Sequence, residues 1–479
     1  MALRNRTIKA LIWQTLERSG VQLVQFGIQL FLARLLMPSD FGIVAILNVF
    51  VSIANTLVNN GLSTALIQKE NPTREEFSSV FWLSLIISII AYLIIFVASP
   101  LIASFYNNTQ IVSYLRILLL VVPIGALGSI QSTILKKRLD LRPSFIANLI
   151  AIVIQGIIGI SLAFLGFGSW ALVISQISYQ FTVTLLLIIQ VRWKPSAKLS
   201  LRKIGPLFKF SWKLSLGWLI GTLYNDIFTL IIGKSFSIQT LGFYHKGQGL
   251  PNTFTKTIQQ ISGGVLFSVL SRKQNNQKEL LSNTRFMLSF LALFLFPIML
   301  GFSAIAEPFV VLVLTEKWLP SVFFIRMACI SLMLSSYCTT NMHSFNALGR
   351  TDRFLRIEFI RRSISVILVL LLSNIGIEAV VWGIVGMSIV SLLINFIPNI
   401  VLLEYSIVDQ LKDFLPQLIN SIIMWICVKS INILDLVPLI CIILQITVGI
   451  VVYWGLNEVF RIPSYLTIKK NLLLYFQNK

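Results

Sequence analysis

Mostly apolar stretches of about 20 residues recur along the whole chain, and this pattern limits the possible folds more than any other feature. A helix of that length is what crosses roughly 30 Å of hydrocarbon. About fourteen such spans can be drawn, at residues 11–34, 43–67, 77–99, 112–134, 145–165, 169–191, 211–233, 247–270, 284–306, 320–346, 357–375, 377–402, 416–434 and 436–458. Only 12% of the 479 residues are charged, far fewer than in soluble globular domains. The sequence therefore predicts an all-α, multi-pass membrane protein.

The positive charges fall in alternate loops. The formal net charge is +21, and the basic residues crowd the N-terminus, every second loop and the C-terminal tail. The loops between them, around residues 38–41, 100–110, 166–168 and 376, contain no Lys or Arg. Because Lys and Arg accumulate on the cytoplasmic side of membrane proteins, both termini are expected to be cytoplasmic. The charge therefore indicates topology and contact with the lipid bilayer rather than binding to nucleic acid.

Few residues have the spacing that catalysis or metal binding would need. All four cysteines lie within predicted spans without a CxxC spacing, and the two histidines are isolated from one another. The chain also lacks a P-loop, a Rossmann glycine fingerprint and a GxSxG sequence. We expect no catalytic residue, no metal site and no bound cofactor. A membrane glycosyl ligase stays open as a less favoured enzyme alternative, because such enzymes are also polytopic.

The second half of the chain repeats the first. The region from Gly42 to Leu66 is matched 200 residues later by the region from Gly242 to Leu266. Five positions keep a polar residue in both copies, namely Asn48 and Gln248, Ser52 and Asn252, Asn55 and Thr255, Asn59 and Gln259, and Asn60 and Gln260. Six spans make one repeat, so the two repeats share one orientation and the substrate site is expected between them.

This repeat predicts the domain organisation. Residues 1–191 would form an N-lobe of six helices, and residues 211–402 a C-lobe of six helices. The basic segment 192–210 would connect the two lobes on the cytoplasmic side. Residues 403–479 would add helices 13 and 14 and a basic tail. The expected fold is thus two parallel-related six-helix lobes plus two C-terminal helices.

Polar side chains line one face of spans one, two, seven and eight. Burying an unpaired amide in hydrocarbon costs several kcal/mol, so matched polar faces predict a shared, water-filled cavity. Polar residues can also simply hold neighbouring helices together, and that interpretation stays open for any single face. The predicted hydrogen-bonding residues of the cavity are Gln22, Gln25, Asn55, Asn59, Asn252 and Gln259, with Trp218 and Tyr224 available for stacking.

Cations outnumber acids on these faces. A Lys or Arg at the bilayer centre costs about 2.5–3.5 kcal/mol on insertion scales, so such a residue usually faces an interior. The predicted cavity cations are Arg18, Lys213, Lys246 and Lys256, with Arg34 near the outer end of span one. Their excess predicts a cavity that attracts an anion such as a phosphate or a carboxylate.

Two acids accompany these cations. Asp226 could bind a coupling proton or sodium ion, or it could hydrogen-bond to Asn225, Tyr224 or a partner helix. Glu17 could take part in coupling, or it could form a structural salt bridge with a cation on a neighbouring helix. The sequence leaves both pairs of alternatives open.

One segment carries a family resemblance. The sequence LARLLMPSDFG at residues 32–42, followed by NGL at 60–62 and ALIQ at 65–68, resembles the N-terminal signature of bacterial polysaccharide exporters. These are the Wzx-type flippases of the MOP superfamily, in the colanic-acid and teichuronic-acid exporter branch. The resemblance implies a MATE-like bundle in a bacterial cytoplasmic (inner) membrane, with helices one, two, seven and eight around a central cavity. It also implies alternating access to the two sides of the membrane.

The resemblance implies the substrate as well. It would be an undecaprenyl-diphosphate-linked oligosaccharide, moved from the cytoplasmic to the outer leaflet, with a polysaccharide polymerase and assembly proteins as further partners. Related lipid II flippases hold the diphosphate with cavity arginines, but the surrounding motif is absent here. Arg18, Lys213 and Lys256 are therefore assigned to the diphosphate by position and chemistry. An ion-coupled multidrug antiporter of the related MATE branch is the main alternative, and it predicts an acid-dominated pocket.

Overall fold

Helices follow one another along the chain in the computed structural model, which describes residues 20–59, 61–196, 200–272, 277–347, 351–434, 436–466 and 469. Within these ranges the regular structure is helical, without a β-strand. Eleven of the described helices are long and apolar enough to cross a membrane. An apolar helix satisfies its own backbone hydrogen bonds, which is why it is stable in lipid. The chain is a multi-pass, all-α membrane protein.

The helices of the first half share a length of about one membrane crossing, apart from three shorter pieces. They are α1 (Gly20–Leu35), α2 (Pro38–Asn59), α3 (Gly61–Gln68), α4 (Arg74–Phe105), α5 (Gln110–Leu118), α6 (Val121–Arg138), α7 (Arg142–Phe164) and α8 (Ser169–Val191). Those of the second half are α9 (Leu201–Ser235), α10 (Ile238–Arg272), α11 (Gln277–Phe309), α12 (Ser321–Ala347), α13 (Thr351–Leu372), α14 (Ile377–Leu403), α15 (Ile407–Ser430) and α16 (Pro438–Val459).

Several helices differ from the predicted spans; α10 and α15, for example, begin at Ile238 and Ile407 rather than at 247 and 416. Two of the differences have a clear cause in the sequence. The predicted span 112–134 is divided into α5 and α6, and Pro123 follows the break. Proline has no N–H, so residue 123 cannot donate a helical hydrogen bond to the carbonyl of Leu119. The second difference is α9, which begins at Leu201, before the predicted span 211–233. Its basic first turns are not apolar, so hydropathy alone did not include them.

The chain divides into two compact units, unit 1 (Met1–Gly242) and unit 2 (Phe243–Lys479). The predicted lobe boundaries at 191 and 211 stay a prediction. In unit 1, a core forms where α3, α4, α6 and α9 pack together, from Leu62, Leu66, Val80, Phe81, Ile130, Ile134 and Leu207. This core places α3 and α6 side by side.

The start of the predicted connector is fixed to α4 rather than free. The backbone N–H groups of Ser196 and Ser200 donate to the hydroxyls of Ser78 and Ser79, at 2.9 and 3.0 Å. The indole of Trp82 donates back to the carbonyl of Ser196 at 2.9 Å. These bonds give partners to backbone groups at the end of the membrane helices. Ser196 and Ser200 of the connector are therefore held beside α4.

In unit 2, an ion pair and a buried tyrosine hold α15 and α16 against α11. Arg285 makes two hydrogen bonds with Asp413, at 2.7 and 3.1 Å, and the hydroxyl of Tyr405 donates to the same carboxylate at 2.5 Å. The hydroxyl of Tyr453, on α16, donates to the carbonyl of Leu293 at 2.9 Å. A bidentate arginine–carboxylate pair has a fixed geometry. The helices that lie outside the sequence repeat are thus joined to α11.

The segment that carries the family resemblance forms the first turn of α2. Asp40 accepts a hydrogen bond from the backbone N–H of Met37 at 2.9 Å and another from the hydroxyl of Ser169 at 2.7 Å. Its carboxylate caps the start of α2 and also ties it to the start of α8. The conformation of this turn explains why an Asp follows Pro38 at that spacing.

Two glycines of the sequence repeat make a reciprocal backbone contact within unit 1. A Cβ atom at Gly42 would overlap the carbonyl oxygen of Ile238, and a Cβ at Gly242 would overlap the carbonyl oxygen of Pro38. The first turns of α2 and α10 therefore approach each other backbone to backbone at these two positions. Only glycine permits such an approach.

Replacing either glycine should separate these two turns. We expect Gly42→Ala and Gly242→Ala each to destabilise the protein by about 1–3 kcal/mol, the usual cost of overpacking. Thermal unfolding of the purified protein in detergent measures the effect. Gly27→Ala is the matched control, because no atom lies within 4 Å of the added methyl group. Melting of Gly42→Ala at the temperature of Gly27→Ala would contradict the contact.

Candidate functional site

A polar cavity lies inside unit 1 among α1, α2, α3, α6, α7 and α8. Its volume is about 640 Å³, within the range of about 300–1,000 Å³ that is common for small-molecule sites. The hydrogen-bonding residues of its lining are Gln22, Asn55, Ser63, Thr64, Ser129, Ser132, Thr133, Lys136, Ser144, Asn148, Tyr179, Gln180 and Thr184. We refer to this space as the polar cavity. Such a concentration of polar groups within membrane helices marks it as the candidate site.

Close packing of α6 against α8 forms one wall of the polar cavity. A Cβ at Gly128 would lie 3.2 Å from the hydroxyl of Thr184, and a Cβ at Gly125 would lie 3.3 Å from the amide of Gln180. Both glycines line the cavity. Larger side chains at these positions would occupy its volume, so the two glycines keep it open.

Many hydroxyls of the wall donate to backbone carbonyls. Thr133 donates to the carbonyl of Ser129 at 2.8 Å, and Thr184 donates across the helix pair to the carbonyl of Ile124 at 3.0 Å. Ser129 donates to the carbonyl of Ala126 at 2.8 Å. Each hydroxyl donates its one proton in this way, and its oxygen can still accept a hydrogen bond. The oxygen of Thr184 already accepts one, from the side-chain amide of Gln180 at 3.2 Å. This wall is therefore suited to a ligand that donates hydrogen bonds, as sugar hydroxyls do.

A chain of three polar residues forms the opposite wall. The hydroxyl of Tyr179 on α8 donates to the side-chain oxygen of Asn148 on α7 at 2.7 Å. The amide nitrogen of Asn148 donates to the carbonyl of Ser144 at 2.9 Å. The chain fixes the amide orientation of Asn148 and joins α7 to α8. Polar partners that hold one another in place reduce the ordering cost when a ligand binds.

The polar cavity contains little charge. Among the described residues that line it, Lys136 is the one charged side chain and none is an acid. The surroundings are thus neutral hydroxyls and amides with a single cation at the end where α6 terminates. Neutral hydrogen-bonding groups suit a carbohydrate better than they suit an organic cation.

The predicted sugar-binding residues fall into different places. Gln22 and Asn55 lie together in the lining of the polar cavity. Gln25 on α1 and Trp218 on α9 are exposed, whereas Tyr224 is half-buried and packs edge-on to Phe228. Asn252 and Gln259 are half-buried on α10, in unit 2. The side chain of Asn59 lies outside the described residues.

The predicted cations are also dispersed. Arg34 on α1 and Lys213 on α9 are exposed in unit 1, and Lys256 on α10 is exposed in unit 2. Lys246 is buried in unit 2, with its ammonium 6.0 Å from the ring centre of Trp318. Arg18 and Glu17 lie outside the described residues.

Asp226 lies where α9 packs against α2. The hydroxyl of Ser52 donates a hydrogen bond to its carboxylate. One turn further along, the hydroxyls of Thr56 and Thr222 are 3.1 Å apart. Both pairs join the same two helices, which is the gluing role that polar residues have in membrane helix packing.

The polar-cavity residues on α6, α7 and α8 are not among those predicted from the sequence. The sequence does contain a pattern that could have indicated some of them, namely pairs of polar residues at helical spacing. Ser144 and Asn148 are four residues apart, as are Gln180 and Thr184, and each pair therefore shares a helix face. Mean hydropathy does not reveal these pairs, because two polar residues on a mostly apolar helix do not alter that average much.

A second, apolar groove lies in unit 2 between α11, α15 and α16. Its volume is about 330 Å³, and its lining is mainly hydrocarbon, including Phe294, Ile298, Ile446 and Ile450. The few polar groups there include Gln445, whose amide already donates to the carbonyl of Val428 at 3.1 Å. This lining offers little to a sugar. The polar cavity is therefore the better candidate for a carbohydrate.

Comparison with known protein families decides the assignment. The model of a family described as polysaccharide biosynthesis protein matches residues 31–323, more than half of the chain. The chain belongs to the polysaccharide biosynthesis protein family. The predicted resemblance to polysaccharide exporters is confirmed by this match. The matched region contains the polar-cavity residues from α2 through α8.

Relatives of this polysaccharide biosynthesis protein span much of its length. A Klebsiella pneumoniae protein, described as an uncharacterised membrane protein in the cps region, is 26% identical over 95% of each chain. The teichuronic acid biosynthesis protein TuaB of Bacillus subtilis is 26% identical over 62% of each chain.

Solved structures show the same fold. The lipid II flippase MurJ, in an inward closed conformation, aligns with a TM-score of 0.70 at 18% identity, covering 95% of this chain and 98% of MurJ. An inward-facing multidrug MATE transporter of the MOP superfamily aligns with a TM-score of 0.58 at 15% identity, covering 82% and 99%. The fold of this polysaccharide biosynthesis protein is thus that of the MOP superfamily.

The bond between Tyr179 and Asn148 allows a stability test of the cavity wall. We expect Tyr179→Phe to lower the free energy of unfolding by about 1 kcal/mol, because it removes one internal hydrogen-bond donor. Tyr92→Phe is the control, since in the described part of the chain the Tyr92 hydroxyl makes no hydrogen bond while its ring packs on Phe96. Denaturant unfolding of both variants gives the comparison. Equal stability of the two variants would show that the bond contributes nothing.

Proposed function

We propose that this protein is a flippase that moves an undecaprenyl-diphosphate-linked oligosaccharide from the cytoplasmic to the outer leaflet for export of a surface polysaccharide. The observation that carries the proposal is the polar cavity, a space of about 640 Å³ with a nearly uncharged lining inside a membrane-spanning unit. Membership of the polysaccharide biosynthesis protein family supports a carbohydrate cargo.

The physical problem of flipping is the hydration of the sugar. Each hydroxyl that enters hydrocarbon without a partner costs several kcal/mol. The hydroxyl oxygens of Thr133 and Thr184 can accept hydrogen bonds from a sugar, and the amide of Gln22 can both donate and accept. The cavity would therefore replace water around the glycan while the polyprenyl tail stays in the lipid.

The wider arrangement is part of the proposal. Fourteen helices would form two six-helix lobes and a C-terminal pair, with both termini in the cytoplasm and the protein in a bacterial inner membrane. The lobes would open alternately to the two sides without any covalent chemistry. The fold of MurJ, which is named a lipid II flippase, is consistent with this arrangement. A polysaccharide polymerase and assembly proteins would receive the product.

The predicted residues keep their roles within this proposal. Arg18, Lys213 and Lys256 would screen the diphosphate, with Arg34 and Lys246 as further cations. Gln25, Asn59, Asn252 and Gln259 would hydrogen-bond sugars together with Gln22 and Asn55, and Trp218 or Tyr224 would stack on them. Asp226 and Glu17 are the candidates for coupling to a proton or a sodium ion. Binding of that ion to the Asp226 carboxylate would compete with the hydrogen bond that the Ser52 hydroxyl donates to it.

The antiporter alternative predicts a different charge for the lining of the binding pocket. A pocket for organic cations would be lined by acids, whereas the described lining of the polar cavity holds one lysine and no acid. The MATE transporter shares the fold, but at 15% identity this likeness says nothing about cargo. The lining therefore favours the flippase.

Filling the polar cavity should stop export. In a strain that lacks the gene, we expect a Gly125→Leu variant to leave lipid-linked oligosaccharide on the cytoplasmic leaflet and to restore less than about a tenth of the surface polymer, because the larger side chain occupies the site. The added atoms meet the movable end of Gln180 rather than backbone, so the variant should still fold. Leaflet-specific labelling of the lipid-linked oligosaccharide measures the outcome.

Gly455→Leu is the matched control, since Gly455 is exposed on α16, outside the predicted cavity helices, with no atom within 4 Å of an added Cβ. It should restore full export. Normal export by Gly125→Leu at equal membrane abundance would contradict a role for the cavity. Unchanged lipid intermediates in the deletion strain, together with altered sensitivity to cationic drugs, would favour the antiporter instead.

A further inference from the structure

Two adjacent lysines at the end of α6 have different surroundings. Lys137 is engaged in the structure, because its ammonium donates to the carbonyls of Leu66 at 3.5 Å, Ile67 at 3.2 Å and Lys69. Those carbonyls are at the C-terminal end of α3, where helical partners are missing. Lys137 therefore closes the end of α3 and has a structural role.

Lys136 lies on the other side of the same turn and lines the polar cavity beside Ser132, Thr133 and Ser144. Within the residues that the structure describes, its ammonium makes no hydrogen bond and no ion pair. Asp140, the acid nearest to it in sequence, is exposed and does not pair with it in that part of the chain. A lysine at this loop satisfies the charge pattern expected for topology, but topology does not require that it face a cavity.

The surroundings of Lys136 match the requirements of an anion site. An ammonium group offers three donors and a full charge, and hydrogen bonds between ionised partners are roughly twice as strong as neutral ones. Ser144 belongs to the first turn of α7, so the positive end of that helix dipole faces the same end of the cavity. In the part of the lining that the structure describes, no acid competes with an incoming anion.

We propose that Lys136 binds an anionic group of the saccharide that occupies the polar cavity. This inference rests on the proposed function, because it assumes that the cavity holds a carbohydrate. The anion is a phosphate or a carboxylate attached to the sugar. It could come from the diphosphate that links the sugar to the lipid, or from an acidic sugar within the glycan.

Calorimetric titration of the purified full-length protein in nanodiscs tests this assignment with three soluble probes. Glucose 1-phosphate carries a phosphate, glucuronate carries a carboxylate, and methyl glucoside is neutral. We expect Lys136→Gln to weaken binding of at least one anionic probe by about tenfold or more, with little effect on methyl glucoside. Lys136→Arg should retain most of the affinity, because it keeps the charge.

Lys137→Gln and Arg138→Gln are matched controls that remove the same charge from the same turn. Both should bind the anionic probes within about threefold of the wild-type affinity, which corresponds to a difference below the strength of one hydrogen bond. If Lys136→Gln weakens binding of glucose 1-phosphate alone, the lipid-linking diphosphate is supported as the source of the bound anion. If Lys136→Gln weakens binding of glucuronate, alone or together with glucose 1-phosphate, Lys136 binds a carboxylate as well as or instead of a phosphate, and acidic sugars become a source of the anion.

Three outcomes would overturn the proposal. They are unchanged binding of all probes by Lys136→Gln, an equal loss in Lys137→Gln, and no binding of any probe to the wild-type protein. The export assay with Gly125→Leu separates this failure from that of the proposed function. If Gly125→Leu stops export while Lys136→Gln binds normally, the flippase stands and the role of Lys136 is wrong.

Discussion

A polar group inside a membrane needs a hydrogen-bonding partner within the protein or a water molecule, and this requirement governs the structure from backbone to cavity. The helices satisfy their own backbone. The hydroxyls of many serines and threonines find a partner by donating a hydrogen bond to a nearby backbone carbonyl, as Thr133 does at 2.8 Å. Because those hydroxyls keep acceptor lone pairs, the groups that make the helices stable in lipid also provide a surface for sugar hydroxyls. The cavity thus forms where the polar faces of neighbouring helices in unit 1 meet.

The segment around Pro38 shows how the same unit is held at its other end. Asp40 fixes the start of α2 to the start of α8 through Ser169, and Gly42 allows the first turn of α10 to touch the first turn of α2. The two glycines are equivalent in the sequence repeat, and each meets the carbonyl at the start of the other helix. The two turns are too close for any side chain larger than hydrogen at these two positions.

Much of the fold could be predicted from the sequence, because apolar length and loop charge are local properties. The membrane helices followed from hydropathy, and Gln22 and Asn55 were found because their helices carry several polar residues on one face. Asn148 and Tyr179 were missed, since each stands on a helix that is apolar on average and they become partners only when α7 packs on α8. Lys136 was assigned to topology alone, since the sequence does not show that it faces a cavity while Lys137 caps α3. The positions of Ser196 and Ser200 beside α4 likewise depend on tertiary hydrogen bonds to Ser78 and Ser79.

The most direct test of the flippase is transport by the purified protein. Proteoliposomes would contain the protein and a fluorescent polyprenyl-diphosphate oligosaccharide, and a membrane-impermeant quencher would report the fraction in the outer leaflet over time. We expect rapid exchange between leaflets with the wild-type protein, and exchange no faster than in protein-free liposomes with Gly125→Leu. Equal rates for wild-type, Gly125→Leu and empty liposomes would contradict the central claim that the polar cavity carries a lipid-linked glycan across the membrane.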